Sequence, residues 1–376
     1  MSADRLTIVA SRLGVGGLEK VIEKLAAGLP SRGIAVDITC ASVDRDANPA
    51  WKRLVVSELG RRNRWRFALG LVRRVRSSTS GTVMSTANDL AFLARIGIHL
   101  SVGRRLHIVT LHSVIASQIA AELNLVNRAR LVVMREMLRF AARRADACVA
   151  VSTPLALEFE ALGVSPDRIH VIHNPVVGPD LDARLASPVH WPWPDSAAPT
   201  VAFCGRLAAV KRPDVMLDAF QQVHARRPAR LLILGDGPLR GWLESEVERR
   251  ALRDSVRCLG FVDDALAYLR RCDALALTSD HEGFGNVIVE ALAAGIAVVA
   301  TDCPSGPAEI LMNGRFGILV RPGDAASVAE GLEQSLSGKG ASSPAERRAR
   351  AMEFSDDAAL DRYAALIRAL QRDGAR

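Results

Sequence analysis

The chain has 376 residues, of which 49% are hydrophobic and 24% are charged, and this balance excludes a largely disordered or fibrous protein. Its length exceeds that of one ordinary core and predicts two domains. The net charge of +8 is concentrated in residues 1–178, which carry 25 Lys and Arg against 14 Asp and Glu.

The sequence shows no signal for membrane insertion or for a metal. No apolar run reaches the roughly 18 to 20 residues that a spanning helix needs, and the first residues lack a basic and apolar leader. We therefore expect a cytoplasmic protein. The six cysteines form no C-x-x-C pair, which predicts buried thiols. Asp44 and Asp46 form a D-x-D triplet, but such triplets are common by chance, so we predict no metal site.

Short apolar runs alternate with helical patterns in residues 1–178, which predicts a doubly wound domain with a parallel sheet. The predicted strands are LTIVAS, AVDITCAS, GTVMSTA, LHIVTLHS, ACVAVS and IHVIHNPV. The predicted helices between them are GLEKVIEKLAAGLPSRG, NDLAFLARIG and TPLALEFEALG.

Residues 61–76, RRNRWRFALGLVRRVR, predict a basic amphipathic helix with Trp65, Ala68, Leu69 and Val72 on one face. The surrounding basic residues are Arg61, Arg62, Arg64, Arg66, Arg73, Arg74 and Arg76. Such a helix can lie on an anionic membrane surface, or it can be an ordinary surface helix packed on its sheet. We predict no nucleic-acid partner, because the aromatic residues do not form stacking platforms among the basic ones.

Residues 179–198 contain four prolines and predict a linker without regular structure. The α/β alternation then resumes and predicts a second domain over residues 199–354, with helices at Pro213 to Arg226 and Leu239 to Arg253. Its predicted strands are TVAFCG, ARLLILGDG, VRCLGFV, DALALTS, AVVATD and GILV. The last segment, residues 355–376, predicts a helix that packs back on the N-terminal domain.

Two such domains predict a cleft, because ligands of doubly wound sheets bind in loops after the carboxyl ends of the strands. In the first domain, Gly16 and Gly17 open a helix at about Leu18, where backbone amides can approach a phosphate. The spacing departs from G-x-G-x-x-G, so a dinucleotide fingerprint is absent. A tight turn alone would give the same pattern. His112 also follows a strand, although a lone histidine is more often structural.

In the second domain, Arg206 and Lys211 follow the strand TVAFC. A guanidinium fork and an ammonium five positions apart could clamp a diphosphate, although solvated surface residues would look the same. Gly283 and Gly285, around Phe284, can form another anion-accepting helix start.

Glu282 and Glu290 stand on either side of this glycine loop. Glu290 has apolar neighbours on almost every side, so we expect it to face inward and to require a donor, either ligand hydroxyls or a partner arginine. Glu282, on the loop, is placed to touch a reacting group. Eight helical positions span about 12 Å, beyond the separation used by glycoside hydrolases. The two carboxylates therefore have different roles.

Four stretches, CGRLAAVKRPDVMLDAF, LLILGDGPLRGWLE, CLGFVDD and SDHEGFGNVIVEALAAGIAVVATDCPSGPAEIL, resemble the retaining nucleotide-sugar glycosyltransferases of the large family 4 group. The resemblance extends less specifically to the GGLEK loop, to VSTPLALEFEALGVSPDRIHVIHNPV and to His112. It implies the α/β fold called GT-B, in which two Rossmann-like domains with parallel sheets face a cleft and a C-terminal helix crosses back.

The resemblance also implies roles for single residues. Glu282 would approach the donor sugar, Glu290 would hold the nucleotide ribose, and Arg206 and Lys211 would bind the donor diphosphate. His112 would contact the donor sugar.

The remaining implied donor-binding positions are backbone and base contacts. Gly16 and Gly17 would lie near the donor phosphate and the acceptor, and Phe261 with Val262 would form the loop beside the base. The loop before the Glu290 helix completes the set with Gly283, Phe284, Gly285 and Asn286. Ala209-Val210 departs from the commoner Pro-Glu without affecting these positions. The family usually needs no metal, so the resemblance implies no cofactor besides the nucleotide-sugar co-substrate.

The implied activity is transfer of a hexose or N-acetylhexosamine, with retention, from a UDP-linked donor to a glycan or lipid-linked acceptor in surface polysaccharide biosynthesis. The basic 61–76 segment would suit peripheral contact with the cytoplasmic membrane. Two alternatives stay open, namely a sugar-nucleotide epimerase of the same fold and a non-enzymatic basic module that binds membranes or nucleic acid.

Overall fold

A computed structural model describes residues 4–46, 48–60, 64–122, 124–194, 198–339 and 342–374. The chain forms two compact units. The first unit comprises the residues up to Pro175 and those from Asp356 onward, and the second comprises Val176–Ser355. Arg61 and Arg62 of the predicted basic helix, and residues 195–197 of the predicted linker, lie outside the described residues.

The first unit contains a seven-stranded parallel sheet in the order β3-β2-β1-β4-β5-β6-β7. Its strands are β1 Asp4–Leu13, β2 Ile34–Val43, β3 Val56–Glu58, β4 Thr82–Ser85, β5 Leu106–Leu111, β6 Ala147–Ala150 and β7 Ile169–Val171. Continuous apolar runs such as LHIVTL in β5 are buried along their whole length, as expected of strands covered on both faces.

Helices α1 to α6 connect and cover this sheet. They are α1 Gly17–Gly28, α2 Arg64–Ser77, α3 Asn88–His99, α4 Ile115–Ala121, α5 Leu125–Ala142 and α6 Thr153–Ala161. Leu6 and Ile8 of β1 pack in the core layer that includes Ile22 of α1, whereas Val9 packs in the opposite layer with Leu71 of α2. Alternate residues of one strand thus serve two helical layers. Helices α4 and α5 were not predicted.

The second unit contains a six-stranded parallel sheet in the order β10-β9-β8-β11-β12-β13. Its strands are β8 Thr200–Cys204, β9 Arg230–Leu234, β10 Val256–Gly260, β11 Ala274–Leu277, β12 Ala297–Thr301 and β13 Ile318–Val320. The prediction of two α/β units with parallel sheets is confirmed.

The helices of the second unit are α7 Leu181–Ala186, α8 Pro213–Arg226, α9 Arg240–Arg249, α10 Leu266–Leu269, α11 Asn286–Ala294, α12 Pro307–Ile310, α13 Ala325–Leu336 and α14 Pro344–Met352. The prediction that residues 179–198 lack regular structure is wrong at α7. Its six residues fall between Pro179 and Pro188, so no proline removes a helical donor there. The segment belongs to the second unit, because Arg184 of α7 pairs with Asp264.

The last helix, α15 (Asp356–Gly374), packs on the first unit. Leu360, Tyr363 and Ile367 join the hydrophobic core that contains β1 and α1, and Lys24 of α1 donates to Asp356 at 2.8 Å. The Tyr363 side chain is fully buried in that core. The first unit is therefore built from both ends of the chain.

Among the described residues, no helix combines the length and apolar character that crossing a membrane requires.

Candidate functional site

The strand order of the second unit reverses between β8 and β11, which lie side by side at the middle of the sheet. Such a reversal separates the loops that follow the two strands and creates a crevice at their carboxyl ends. Arg206 and Lys211 follow β8, and Glu282 follows β11. The topology therefore brings three of the predicted site residues to one edge of the sheet.

Lys211 and Glu282 form an ion pair at this edge. The Lys211 Nζ atom lies 2.5 Å from Glu282 Oε1, which also accepts a hydrogen bond of 2.6 Å from the Ser279 hydroxyl. Glu282 is only 9% exposed, so the lysine and the serine supply the donors that a buried carboxylate needs. The sequence indicated both charges but did not predict that they pair.

The backbone around Lys211 is fixed by the β11 side. Thr278 Oγ1 donates to the carbonyl of Lys211 at 2.8 Å, and the amide of Asp280 donates to the carbonyl of Val210 at 2.9 Å. Arg212 has a left-handed backbone with a φ of 49° and pairs with Asp214 and Asp280. These bonds join the two loops, so the ammonium position depends on both strands.

Arg206 differs from its neighbours because its side chain is exposed and makes no hydrogen bond or ion pair with any described residue. The loop that carries it is held by close backbone packing. A Cβ on Gly235, whose φ is 143°, would overlap the carbonyl oxygen of Gly205. Only glycine tolerates both that φ and that approach. The guanidinium is thus free to bind a ligand while its backbone is fixed.

The glycine loop after β11 places its aromatic residue inward. Phe284 is 3% exposed and meets the Phe354 ring edge-to-face with centroids 5.4 Å apart. Gly285 caps α11 with a left-handed φ of 100°, and Asn286 is the first residue of that helix. The Phe284 ring therefore cannot contact a ligand, and only the backbone of this residue in the predicted donor-binding loop could do so. Gly283 is tied to the next loop, since its carbonyl accepts from Ser305 Oγ at 2.7 Å.

Glu290 lies on α11 and is half-buried, rather than fully turned inward as expected. It makes no hydrogen bond within the part of the chain that is described, but its charge acts on Arg184. The pKa of Arg184 is raised chiefly by its hydrogen bonds to Asp264 and further by the charge of Glu290. Arg184 therefore lies near the half-buried carboxylate of Glu290 and can serve as its partner arginine.

Arg184 and Asp264 are functional candidates that sequence reasoning missed. Arg184 binds Asp264 through two hydrogen bonds, Nε to Oδ2 at 2.8 Å and Nη2 to Oδ1 at 2.9 Å. Asp264 also accepts from the amide of Leu266 at the start of α10. Phe261 and Val262 lie in the same loop, after β10, with Phe261 48% exposed. The pair therefore anchors the loop predicted to lie beside the base.

In the first unit, Gly16 and Gly17 lie where predicted, at the N-terminus of α1 after β1. The indole Nε1 of the fully buried Trp51 donates to the carbonyl of Gly14 at 3.1 Å and fixes the preceding turn. The amino end of α1 carries the partial positive charge of a helix N-terminus. This loop also follows a reversal of strand order, here between β1 and β4.

His112 follows β5 and its Nε2 atom lies 3.0 Å from Thr110 Oγ1. Burial lowers its pKa to about 4, so the imidazole is neutral at neutral pH. Helix α4 begins three residues after His112. Its start is fixed by Glu158 Oε1, which accepts hydrogen bonds from the amides of Ile115 and Ala116 at 3.0 Å each. His112 can therefore act as a neutral hydrogen-bonding group on a fixed loop.

The predicted basic helix corresponds to α2. Its Leu71 and Val75 are buried against the sheet, whereas Trp65 is 80% exposed and Leu69 is 56% exposed. The helix is thus packed on its sheet through Leu71 and Val75, whereas Trp65 and Leu69 of the predicted apolar face are exposed. Within the described ranges, no group of three or more His, Cys, Asp or Glu side chains could hold a metal ion.

Comparison with known proteins matches both units to glycosyltransferase families. Residues 15–177 match Glycosyltransferase Family 4, and residues 198–337 match Glycosyl transferases group 1. The chain belongs to the family 4 glycosyltransferases. The family resemblance seen in the sequence is confirmed.

One solved structure, Anabaena HepE in complex with UDP and glucose, superposes with a TM-score of 0.80. It is 18% identical and covers 97% of this chain and 100% of its own. At that identity the likeness shows the fold alone, and the predicted GT-B fold of this family 4 member is confirmed.

Curated relatives are similar over parts of their length. A Campylobacter jejuni N-acetylgalactosamine-N,N'-diacetylbacillosaminyl-diphospho-undecaprenol 4-alpha-N-acetylgalactosaminyltransferase is 34% identical over 35% of this chain and 36% of its own. The Bacillus anthracis N-acetyl-alpha-D-glucosaminyl L-malate synthase is 28% identical over 62% of this chain and 60% of its own. The family 4 chain thus spans less than two thirds of the length of either relative.

Proposed function

We propose that the protein is a retaining glycosyltransferase that moves a hexose or N-acetylhexosamine from a UDP-linked donor to a glycan or lipid-linked acceptor. The observation that carries this proposal is the ion pair between Lys211 and Glu282 at the β8–β11 crevice, in the same loop as the exposed Arg206. An anion that displaces Glu282 from Lys211 would meet two cations at once. A diphosphate has the charge and the oxygen atoms to do so.

In this proposal the cations stabilise the charge that develops on the departing diphosphate. Preorganised charges of this kind typically contribute about 10²- to 10³-fold in rate. Glu282, released from Lys211, faces the donor sugar, and Glu290 binds the ribose hydroxyls while Arg184 supports it. His112 donates or accepts a hydrogen bond to the donor sugar as a neutral imidazole. No metal or further cofactor takes part.

The sugar and the acceptor are proposed from the relatives. The Campylobacter relative is named for transfer of N-acetylgalactosamine to a diphospho-undecaprenol carrier, and the Bacillus relative is named for an N-acetylglucosaminyl product. An acceptor on an anionic lipid agrees with the surplus of basic residues in residues 1–178. We therefore propose an N-acetylhexosamine donor, a lipid-linked glycan acceptor and peripheral contact with the cytoplasmic membrane through the exposed face of α2.

Calorimetric titration with UDP tests the donor site. Lys211→Ala and Glu290→Ala should each weaken UDP binding at least tenfold. The matched controls are the exposed Lys339→Ala and Glu330→Ala, which should leave the affinity within twofold. Unchanged affinity in both site variants would remove the proposed donor site.

A product analysis separates transfer from the alternatives. With UDP-N-acetylglucosamine alone, an epimerase converts the donor without an acceptor, and mass spectrometry with NMR detects the new sugar. A transferase yields a new glycoside only when an acceptor is added, and the NMR coupling at the anomeric carbon reports retention. Salt-dependent DNA binding in the absence of any UDP binding would instead favour the non-enzymatic module.

A further inference from the structure

Two adjoining cavities lie at the amino edge of the first unit's sheet, where β1, β2 and β5 begin. The larger has a volume of about 550 Å³ and lies beside the end of α2, and the smaller has about 330 Å³. They share the segment Ser77–Thr79 as a wall. Gly16 and His112 follow the opposite, carboxyl ends of β1 and β5. The cavities are therefore separate from the proposed donor-binding residues of this unit.

Arginines dominate the walls of both cavities. The larger is lined by Arg76, Arg104 and Arg105, and the smaller by Arg5 and Arg74. Among the described lining residues the single carboxylate is Asp37, which accepts hydrogen bonds from the hydroxyls of Thr7 and Ser80. The described walls thus carry five guanidinium groups and one carboxylate, and this carboxylate already accepts hydrogen bonds from two hydroxyl groups.

Several of these arginines lack an anionic partner. Arg5, Arg74, Arg76 and Arg105 form no ion pair within the described ranges. The Nε atom of Arg74 is buried and has no acceptor, although its Nη2 donates to Ser57 Oγ at 3.2 Å. A buried donor without an acceptor lowers stability, because its hydration is lost and no hydrogen bond replaces it. An anion beside Arg74 would supply that acceptor.

Arg105 is held in place at the cavity wall. Its Nη1 donates to the carbonyls of Val75 and Arg76 at the end of α2, the latter at 2.7 Å. Burial lowers the pKa of Arg105, because desolvation disfavours its charged form. The guanidinium is therefore fixed before any ligand arrives.

We propose that these two cavities form a binding site for a phosphoryl group, carried either by an anionic lipid headgroup or by a soluble phosphorylated compound. Guanidinium forks match phosphate oxygens in pairs, and the volume of the larger cavity is in the range of small-ligand sites. The hydroxyl of Thr79, which accepts from Arg5 Nη1 at 3.1 Å, adds a polar contact at the shared wall.

Titration of the full chain with inorganic diphosphate tests the soluble source. The protein is first saturated with UDP so that the proposed donor site is filled.

Arg5→Gln combined with Arg76→Gln should weaken diphosphate binding at least tenfold. Both residues are exposed, so the fold should survive, which a thermal melt checks. Arg226→Gln, at an exposed arginine of α8 in the second unit, is the control and should stay within twofold.

Sedimentation with vesicles tests the lipid source. Binding to phosphatidylcholine vesicles that contain phosphatidylglycerol, lost in the double variant and retained in Arg226→Gln, supports a headgroup as the ligand. Diphosphate binding with the same dependence supports a soluble ligand. The proposal is overturned if wild type binds neither probe, if the double variant binds both like wild type, or if Arg226→Gln weakens binding as much as the double variant.

Discussion

Lys211 and Glu282 form an ion pair with 2.5 Å between Nζ and Oε1, although they belong to loops after two different strands. The pair neutralises a lysine proposed to bind a diphosphate. An incoming diphosphate must therefore compete with Glu282 for the ammonium, and the carboxylate affects binding and turnover in opposite directions.

Removing the charge of Glu282 separates these two effects. Glu282→Gln should leave UDP affinity equal to or higher than that of wild type, because Lys211 no longer has an anionic competitor. Turnover should fall by about 100-fold or more, because the carboxylate proposed to face the sugar is lost. Titration with UDP and an assay of UDP release measure the two quantities. A tenfold loss of UDP affinity with intact turnover would contradict this role, and Glu330→Gln is the control.

Arg184 should stabilise the second unit and support UDP binding. Arg184→Ala leaves Asp264 without its two charged donors, and the expected loss in unfolding free energy is about 1–3 kcal/mol, since both side chains are partly exposed, 22% and 29%. UDP affinity should fall severalfold as the loop of Phe261 loosens. Urea unfolding and UDP titration measure both. Arg249→Ala, which breaks a more exposed pair with Glu246, should cost much less stability. Equal losses in the two variants would argue against this role.

Gly235 should tolerate no side chain. Gly235→Ala places a methyl group against the Gly205 carbonyl at a φ that alanine avoids, and the expected loss is about 3 kcal/mol or more in unfolding free energy. The loop of Arg206 should shift with it and weaken UDP binding. Gly241→Ala on α9 meets open space and should be tolerated. Thermal and urea unfolding compare the two, and similar stabilities would refute the close approach.

His112 should make the stability of the protein depend on pH. Its pKa is about 4 in the folded state against about 6.5 when unfolded, so between these values the unfolded chain binds more protons. The contribution of His112 to the unfolding free energy is therefore complete above pH 6.5 and decreases as the pH drops toward 4. Between pH 8 and pH 5 it decreases by about 2 kcal/mol. His112→Asn should lose that part of the slope, measured by urea unfolding at both pH values. An unchanged slope would mean that folding does not lower the pKa of His112.

The exposed face of α2 should contribute to membrane binding. Trp65→Ser combined with Leu69→Ser removes two large apolar side chains and should reduce binding to vesicles containing phosphatidylglycerol at least fivefold. Leu157→Ser on α6 removes an exposed leucine, 59% accessible, from another helix and should have little effect. Vesicle sedimentation measures both. Equal binding by all three proteins would leave α2 as a helix packed on its sheet.

Much of the fold could be predicted from the sequence because local signals coincide with burial. The helix predicted at Pro213 to Arg226 matches α8, whose proline occupies the first turn, where no amide donor is needed. Helix α5 was missed because Leu125, Val126 and Val133 are exposed. Its apolar residues therefore do not mark one buried face. Helix α7 was missed because the prolines around it dominated the pattern.

The sequence predicts which residues belong to the candidate site, but it does not predict which of them contact one another. Lys211 and Glu282 are 71 positions apart, and their pairing depends on β8 lying next to β11, which local sequence does not specify. Arg184 lay in a segment that looked like a linker. Phe284 looked like a ligand contact between two glycines, but its ring fills a space beside Phe354. Strand order and interior packing decided each of these positions.

The return of α15 to the first unit has a consequence for biosynthesis. Leu360, Tyr363 and Ile367 belong to the core formed with β1, so the first half of the nascent polypeptide leaves the ribosome without part of its own interior. Residues 176–355 must be translated before that gap is filled. Termination of translation before Asp356 should yield a fragment with exposed apolar surface that is prone to aggregate or to recruit chaperones.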